Sequence, residues 1–446
     1  MAKLAAATTK LAATGAVPQP SERQIQFQQM KAHVHQQLVA RLEVQNMQSL
    51  PQNEVRQEVR LLIRELCQSE KGLLSAPEQE RLMDDVMDET FGLGPLEALL
   101  KDPAITDILV NRFDRVYVER KGRLELTDVQ FRDNAHLRQI IDRIVARIGR
   151  RIDEISPMVD ARLADGSRVN AIIPPLALDG AAMSIRRFGT VPLQPEDLVR
   201  FGSVPSVVLE FIAAAAQARC NILISGGTGS GKTTLLNCLS RFIPAEERVL
   251  TIEDAAELQL QQPHVVRLET RPPNIEGKGE ITQRDLVRNS LRMRPDRVII
   301  GEVRSGEALD MLQAMNTGHE GSMTTIHANT ARDALSRLEV MVAMAGFDIP
   351  VRALRQQIAS AIHLVIQAQR MVGGKRKVVS VSEITGMEGD RVQMHDLFLF
   401  EQTGVGSDGH AEGRFIATGI RPHCMVRLEH RGLSMPADVF TRRVLE

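Results

Sequence analysis

The sequence predicts an α/β protein in which a helical bundle and a smaller α/β domain precede a larger domain built on a parallel sheet. Three observations carry that prediction. Apolar residues recur at helical spacing up to residue 90, and strand-like and helix-like segments alternate from Phe91 onward. Beyond residue 220, four short apolar strands each end in a glycine-rich or polar turn, the pattern of a sheet with ligands at its carboxyl edge. A length of 446 residues has room for roughly two or three domains with cores of their own.

Composition sets exclusions. Lys+Arg 55 against Asp+Glu 56 leaves a formal net charge of −1, which argues against gripping nucleic acid through bulk positive charge. With 13 Phe, 1 Tyr and 0 Trp, a base-stacking platform or an interfacial aromatic belt is not expected. Cys67, Cys220, Cys238 and Cys424 are widely spaced, so neither a disulfide framework nor a zinc site is predicted, and the reducing cytoplasm is the expected compartment. No stretch approaches the ~18 apolar residues of a membrane span. Val207 to Ala216 is the most apolar helical stretch, and it is short and contains Glu210.

The elements follow in order. Residues 1–22, rich in Ala and Thr with Lys3 and Lys10, are expected to be a disordered tail and lack the apolar block of a signal peptide. Residues 23–90 are expected to form the bundle. Phe27, Met30, Val34, Leu38 and Leu42 share a helical face, as do Val55, Val59, Leu62 and Leu66, and Ser75-Ala76-Pro77-Glu78 reads as a capping box before Leu82 and Val86. Residues 91–190 are expected to be the smaller α/β domain. Ile105 to Asn111, Arg115 to Glu119 and Leu124 to Leu126 read as strands, and Leu137, Ile140, Ile141, Ile144, Val145 and Ile148 form one apolar helix face. Residues 191–203, with Pro192, Pro195 and Gly202, are expected to be a hinge before the domain of residues 204–446.

The strand Asn221-Ile222-Leu223-Ile224 runs into Gly226-Gly227-Thr228-Gly229-Ser230-Gly231-Lys232-Thr233, which satisfies G-x-x-x-x-G-K-[ST]. The chemistry needs each part. Glycines let backbone N–H groups turn in around phosphate oxygens, Lys232 reaches the β- and γ-phosphates, and the Thr233 hydroxyl ligates Mg²⁺. Thr234 and the helix it helps to open, with Leu235, Leu236, Leu239 and Phe242 on one face, place a positive helix end at the phosphates. The expectation is a P-loop nucleotide-binding domain that takes Mg²⁺ with its nucleotide.

Three later strands end in polar groups: Val249 to Ile252 in Glu253-Asp254, Val298 to Ile300 in Gly301-Glu302, and Met323 to Ile326 in His327. In a parallel sheet these ends converge on the nucleotide. Glu253 and Glu302 are therefore the candidate acids, one to activate the attacking water and the other to hold Mg²⁺ through water. His327 is a candidate hydrogen-bond donor to the γ-phosphate. Asp296 precedes its strand and belongs to the wrong end, and His319-Glu320 lacks the second histidine of H-E-x-x-H. Arg186 and Arg187, just before the hinge, are positioned to reach the phosphates on domain closure, and Arg168 is a further candidate nucleotide contact. Arg267, Arg271, Arg292, Arg294 and Arg304 make the surroundings of the two acids basic and are candidates for contacts from a neighbouring subunit.

In order, the four strand ends resemble the Walker A, Asp box, Walker B and His box of the secretion ATPase superfamily. Further stretches are most similar to its CpaF/TadA-type branch, the ATPases of tight-adherence (Tad/Flp) pili. They include Phe91 to Glu97, Asp107 to Asn111, Asp165 to Asn170, Ser184 to Phe188, Leu291 to Arg297 and Thr324 to Asn329. The resemblance covers roughly Phe91 to Met387. It implies a RecA-like P-loop NTPase domain that binds ATP and Mg²⁺ within a homohexameric cytoplasmic ring, peripheral at the inner membrane without inserting into it, that hydrolyses ATP beneath membrane platform proteins and drives pilin, indirectly, into or out of a filament. It also implies Glu253 as catalytic base, Glu302 as the Walker B acid, His327 as the His-box histidine, and Arg186 and Arg187 as groups closing over the nucleotide. Two departures stand out: Gly301 replaces the usual Walker B aspartate, and the four-cysteine zinc module of many related ATPases is missing.

Two other readings compete. A nucleic-acid translocase on the same core is disfavoured by the neutral charge and the scarcity of aromatics. A nucleotide-gated scaffold without turnover is disfavoured by the pair of strand-end acids.

Overall fold

The computed structural model describes residues 27, 30, 31, 33, 34, 36–38, 52–69, 75–120, 122–187, 192–273 and 277–445. The expected disordered tail lies outside the described residues, as do Phe188 and the first residue of the expected hinge. The chain divides into two compact units, Met1–Gly189 and Thr190–Glu446. No helix among the described residues is long and apolar enough to cross a membrane.

The first unit opens with helical residues between 27 and 38, followed by α1 (Gln52–Ser69) and α2 (Ala76–Phe91). Their spacing brings Val34, Leu38, Val59, Ile63, Leu66, Leu82 and Val86 into one small core. At the start of α2 the Glu78 carboxylate accepts from the Ser75 N–H at 2.8 Å and the Ser75 hydroxyl at 2.6 Å. Next come α3 (Leu96–Lys101), β1 (Ile105–Arg112), β2 (Arg115–Arg120), β3 (Arg123–Leu126), α4 (Asn134–Arg147), β4 (Met158–Arg162), β5 (Arg168–Ile172) and β6 (Ala182–Arg186). The six strands lie in the order β3-β2-β1-β6-β5-β4, each antiparallel to its neighbours. Asp133 caps α4 by accepting from the His136 N–H, and the face Leu137, Ile140, Ile141, Ile144 and Val145 is buried in the core shared with the sheet. Bundle and sheet are joined at Glu89. Burial opposes its charge, yet its ion pairs with His136 and Lys31 win and hold its pKa down at about 2.

The second unit begins with α5 (Pro195–Arg200), where Leu198 is already part of the core and the Leu193 carbonyl accepts from the Cys238 thiol. The segment expected as a hinge is thus packed onto this unit from Leu193 onward. After α6 (Ser206–Gln217) the chain lays down β7 (Ile222–Gly226), α7 (Lys232–Ser240), β8 (Val249–Glu253), β9 (Val265–Glu269), α8 (Gln283–Ser290), β10 (Arg297–Val303), α9 (Glu307–Asn316), β11 (Met323–Ile326), α10 (Ala331–Met344) and α11 (Val351–Ala361). It closes with β12 (Leu364–Arg370), β13 (Arg376–Glu388), β14 (Arg391–Val405), β15 (Ala411–Ala417), α12 (Met425–His430) and β16 (Arg443–Leu445).

All ten strands form one sheet, ordered β16-β15-β14-β13-β12-β7-β11-β10-β8-β9. From β12 to β9 every pairing is parallel, and β13 to β16 extend the sheet antiparallel. The parallel strands β7, β8 and β11 are buried at every position, which explains why they show no alternation of apolar and charged residues. Cores cover both faces, one around Phe211, Ile224 and Leu236 and the other around Ile252, Ile300 and Leu338. Strand β7 lies between β11 and β12, which both come later in the chain, as in RecA-like domains. Asn221, fully buried just before β7, fixes this centre. Its amide donates to Ala361 O at 2.6 Å, and its carbonyl accepts from the N–H groups of Gly321 and Ser322.

Candidate active site

Strand β7 delivers the chain into the glycine-rich loop at the carboxyl edge of the sheet. Two of its glycines have left-handed backbone, Gly229 at φ +68° and Gly231 at φ +93°, which a side chain would strain. Gly226 is required by space: a Cβ there would run into the Ala368 carbonyl and the Ser230 hydroxyl. Gly227 faces open space. The Lys232 ammonium donates to the carbonyls of Gly226 at 3.0 Å and Gly227 at 3.1 Å, so it lies over the loop. Ser230 is buried, and its hydroxyl has no hydrogen-bond partner among the described residues. Thr233 and Thr234 occupy the first turn of α7 and are half-buried.

The parallel register brings the other strand ends to the same edge. Ile326 of β11 is level with Ser225 of β7, Val303 of β10 with Ile326, and Ile300 of β10 with Ile252 of β8. Strand β10 runs on through Gly301 and Glu302 to Val303, with a register break against β11 between Ile300 and Val303. His327 then lies between the loop and Glu302. Its Nε2 lies 3.2 Å from the Thr228 hydroxyl, and its Nδ1 lies 3.7 Å from a Glu302 carboxylate oxygen. The second Glu302 oxygen accepts from Arg304 at 2.7 and 3.1 Å, and Arg304 also reaches Asp254 at 3.5 Å.

Glu253 sits deeper, only 3% exposed. One carboxylate oxygen accepts from the N–H groups of Glu257 at 2.6 Å and Leu258 at 2.9 Å, while the other is buried without a partner among the described residues. A Cβ on Gly301 would stand 2.9 Å from Glu253 Cγ. The glycine at this point of β10 is therefore what gives the Glu253 side chain its room.

Burial pushes the Glu253 carboxyl up to about 7, against the lowering effect of its two backbone hydrogen bonds and of Arg267. Burial also lowers Lys232, partly offset by Glu302, and lowers His327, where the Lys232 charge adds to it against Glu302.

Arg168, Arg186 and Arg187 belong to the first unit and have partners there. Arg168 lies 3.5 Å from Asp160, and Arg186 pairs with Asp107 at 3.2 Å. Arg187 donates to the carbonyls of Leu99, Asp102 and Ile105. Asp296 lies before β10, where it pairs with Arg219 and accepts from the Arg248 N–H, at the opposite edge from the loop. Among the described residues no group of three or more His, Cys, Asp or Glu side chains is arranged to hold a metal. Sequence reasoning missed Arg376, whose Nε donates to the Gly229 carbonyl at 2.9 Å. It lies 147 residues from Gly229 and in no motif, so only the pairing of β12 with β7 reveals it.

A parallel sheet whose central strand passes through a glycine-rich loop into a helix, with two carboxylates and a histidine along the same edge, defines a P-loop α/β protein. The type II/IV secretion system protein family matches residues 89–418, and the chain belongs to that family. A Mycobacterium tuberculosis (strain CDC 1551 / Oshkosh) protein bearing a conjugal-transfer name is 38% identical over 311 residues, which span 68% of this chain and 88% of that one. The type IV secretion system protein VirB11 of Bartonella quintana (strain Toulouse) is 30% identical over 325 residues, 65% of this chain and 91% of that one. Among solved structures, the VirB11 ATPase from the Brucella suis type IV secretion system is 29% identical, covering 66% of this chain and 97% of that chain at a TM-score of 0.36.

Proposed function

We propose that this chain is a motor ATPase that hydrolyses ATP to power assembly of a Tad/Flp-type pilus. It works as a homohexamer at the cytoplasmic side of the inner membrane, against membrane platform proteins, with pilin as the indirect cargo. The observation that supports this most is the convergence of the phosphate loop, Glu253, Glu302 and His327 on one sheet edge.

The residues present fit the nucleotide. The buried, unpartnered Ser230 hydroxyl and the open space at Gly227 suit phosphate oxygens drawn against the backbone of residues 226–234, with Lys232 supplying charge. They also fit Mg²⁺. The donors at hand are hard oxygens, the Thr233 hydroxyl and the Glu302 carboxylate, which suit Mg²⁺ together with phosphate oxygens and water. Bound there, Mg²⁺ would neutralise charge developing on the phosphates.

Glu253 serves as general base. Its carboxyl is poised near neutrality, and its unpartnered oxygen is the acceptor for a proton from water. Glu302 orients His327, which reads the terminal phosphate, and the Thr228 contact ties that reading to the loop. Arg168, Arg186 and Arg187 are the first unit's candidates for offsetting charge on the transferring phosphoryl group.

The test is ATP turnover by the full chain with and without its cognate membrane platform, and with DNA. Stimulation by the platform alone supports the reading; stimulation by DNA alone replaces it with a translocase.

A further inference from the structure

The hairpin that follows β12 is the part of the loop's surroundings that no motif accounts for. Strands β12 and β7 run parallel and reach the carboxyl edge together, with Ala368 opposite Gly226. The chain then turns back through Arg370, Lys375, Arg376 and Lys377, with Arg370 paired across the hairpin to Arg376. Besides bonding Gly229, Arg376 has its Cδ 3.3 Å from where a Gly231 Cβ would stand. An Arg370 amino group lies 3.6 Å from the corresponding point on Gly229. Two guanidinium groups thus flank the two left-handed glycines that shape the loop.

Charge and topology indicate what such a pair is for. Among the described residues no carboxylate pairs with Arg376, and Lys232 on the same loop adds a like charge. Cations gathered this way are at their most favourable when an anion joins them. The acids and His327 all lie on strands to one side of β7, whereas β12 is on the other side. The phosphate under attack belongs with the acids, so the hairpin faces the nucleoside end.

We propose that Arg376, supported by Arg370, is a nucleotide-binding residue. It clamps the phosphate loop through Gly229 and holds the nucleoside-proximal phosphate and ribose of a bound nucleoside di- or triphosphate. This rests on reading residues 226–234 as a nucleotide site. Because the contact is made equally to ADP and ATP, it sets affinity and leaves the chemical step alone.

The test titrates the full-length chain with ADP by calorimetry and follows ATP turnover. Arg376→Ala is expected to weaken ADP binding and raise KM for ATP, each by about tenfold, as loss of one charge-assisted hydrogen bond implies. Its kcat should stay within about twofold. Arg376→Lys, which keeps the charge without the Nε donor, should recover part of the affinity, and it carries the test if the alanine variant folds poorly. Lys375→Ala, on the same hairpin, should bind ADP as the parent does. Unchanged ADP affinity in Arg376→Ala and Arg376→Lys, or an equal loss in Lys375→Ala, would overturn the assignment. Failure of the unmodified chain to bind either ADP or ATP would instead overturn the nucleotide-site reading itself.

Discussion

Gly301 lies against Glu253 so closely that the strand has no space for a methyl group between them, the added Cβ standing 2.9 Å from Glu253 Cγ. Gly301 therefore has a steric role toward the neighbouring acid. Gly301→Ala should cost about 1–3 kcal/mol of stability by overpacking and displace the carboxylate, lowering turnover by at least about tenfold. Combining it with Glu253→Ala should restore the thermal midpoint to that of Glu253→Ala alone. A double variant that melts below Glu253→Ala would show that the crowding lies elsewhere.

The pKa of about 7 at Glu253 makes stability depend on pH in a definite direction. A carboxyl raised in the folded state binds its proton more tightly there than in the unfolded chain. Stability therefore falls as pH rises from the unfolded value of 4.5 to about 7, and the loss is complete above that. Glu253→Gln removes this penalty. The variant should be more stable than the parent above pH 7, by up to about 3 kcal/mol, and should lose that advantage below pH 4.5. Denaturant unfolding at several pH values measures the difference, and a pH-independent gap would contradict the linkage.

Binding and chemistry should separate by variant. Lys232→Ala removes the cation lying over the loop and should abolish nucleotide binding in a fluorescent-nucleotide assay. Glu253→Gln and Glu302→Gln leave the loop intact and should bind nucleotide with little or no turnover, a fall of about 100-fold or more. Normal hydrolysis by Glu253→Gln would remove it as the base.

The two arginines before residue 188 should behave differently. Arg186 makes an exposed pair with Asp107 worth less than about 1 kcal/mol, so Arg186→Ala should lower turnover while leaving melting unchanged. Arg187 holds three backbone carbonyls, and Arg187→Ala should destabilise the first unit by about 1–3 kcal/mol. Calorimetric melting beside turnover distinguishes the two. Equal melting shifts would show that both are structural.

Much of the site was legible because its signals are local. The loop is one continuous motif, and Glu253, Glu302 and His327 each follow an apolar run that ends within a residue or two. Strands β1 to β3 and the face of α4 were legible from alternation and helical spacing for the same reason. What escaped the sequence depends on long-range pairing. The approach of Arg376 to Gly229 requires β12 to lie beside β7, and the crowding of Gly301 against Glu253 requires β10 beside β8. No spacing along the chain encodes either neighbour. Strands β13 to β16 were also unread, since their half-exposed pattern carries no motif.

The ten strands share one continuous ladder of backbone hydrogen bonds, from β16 at one margin to β9 at the other. Sliding any inner strand would break bonds on both sides at once, a cost far above the gain from a single ligand contact. A change at the phosphate loop would therefore be taken up most cheaply by the segments that leave the carboxyl edge, such as the turn after Glu253 and the hairpin after Arg370. The sheet is the rigid frame of the second unit, and the connections at its rim are where that unit can yield.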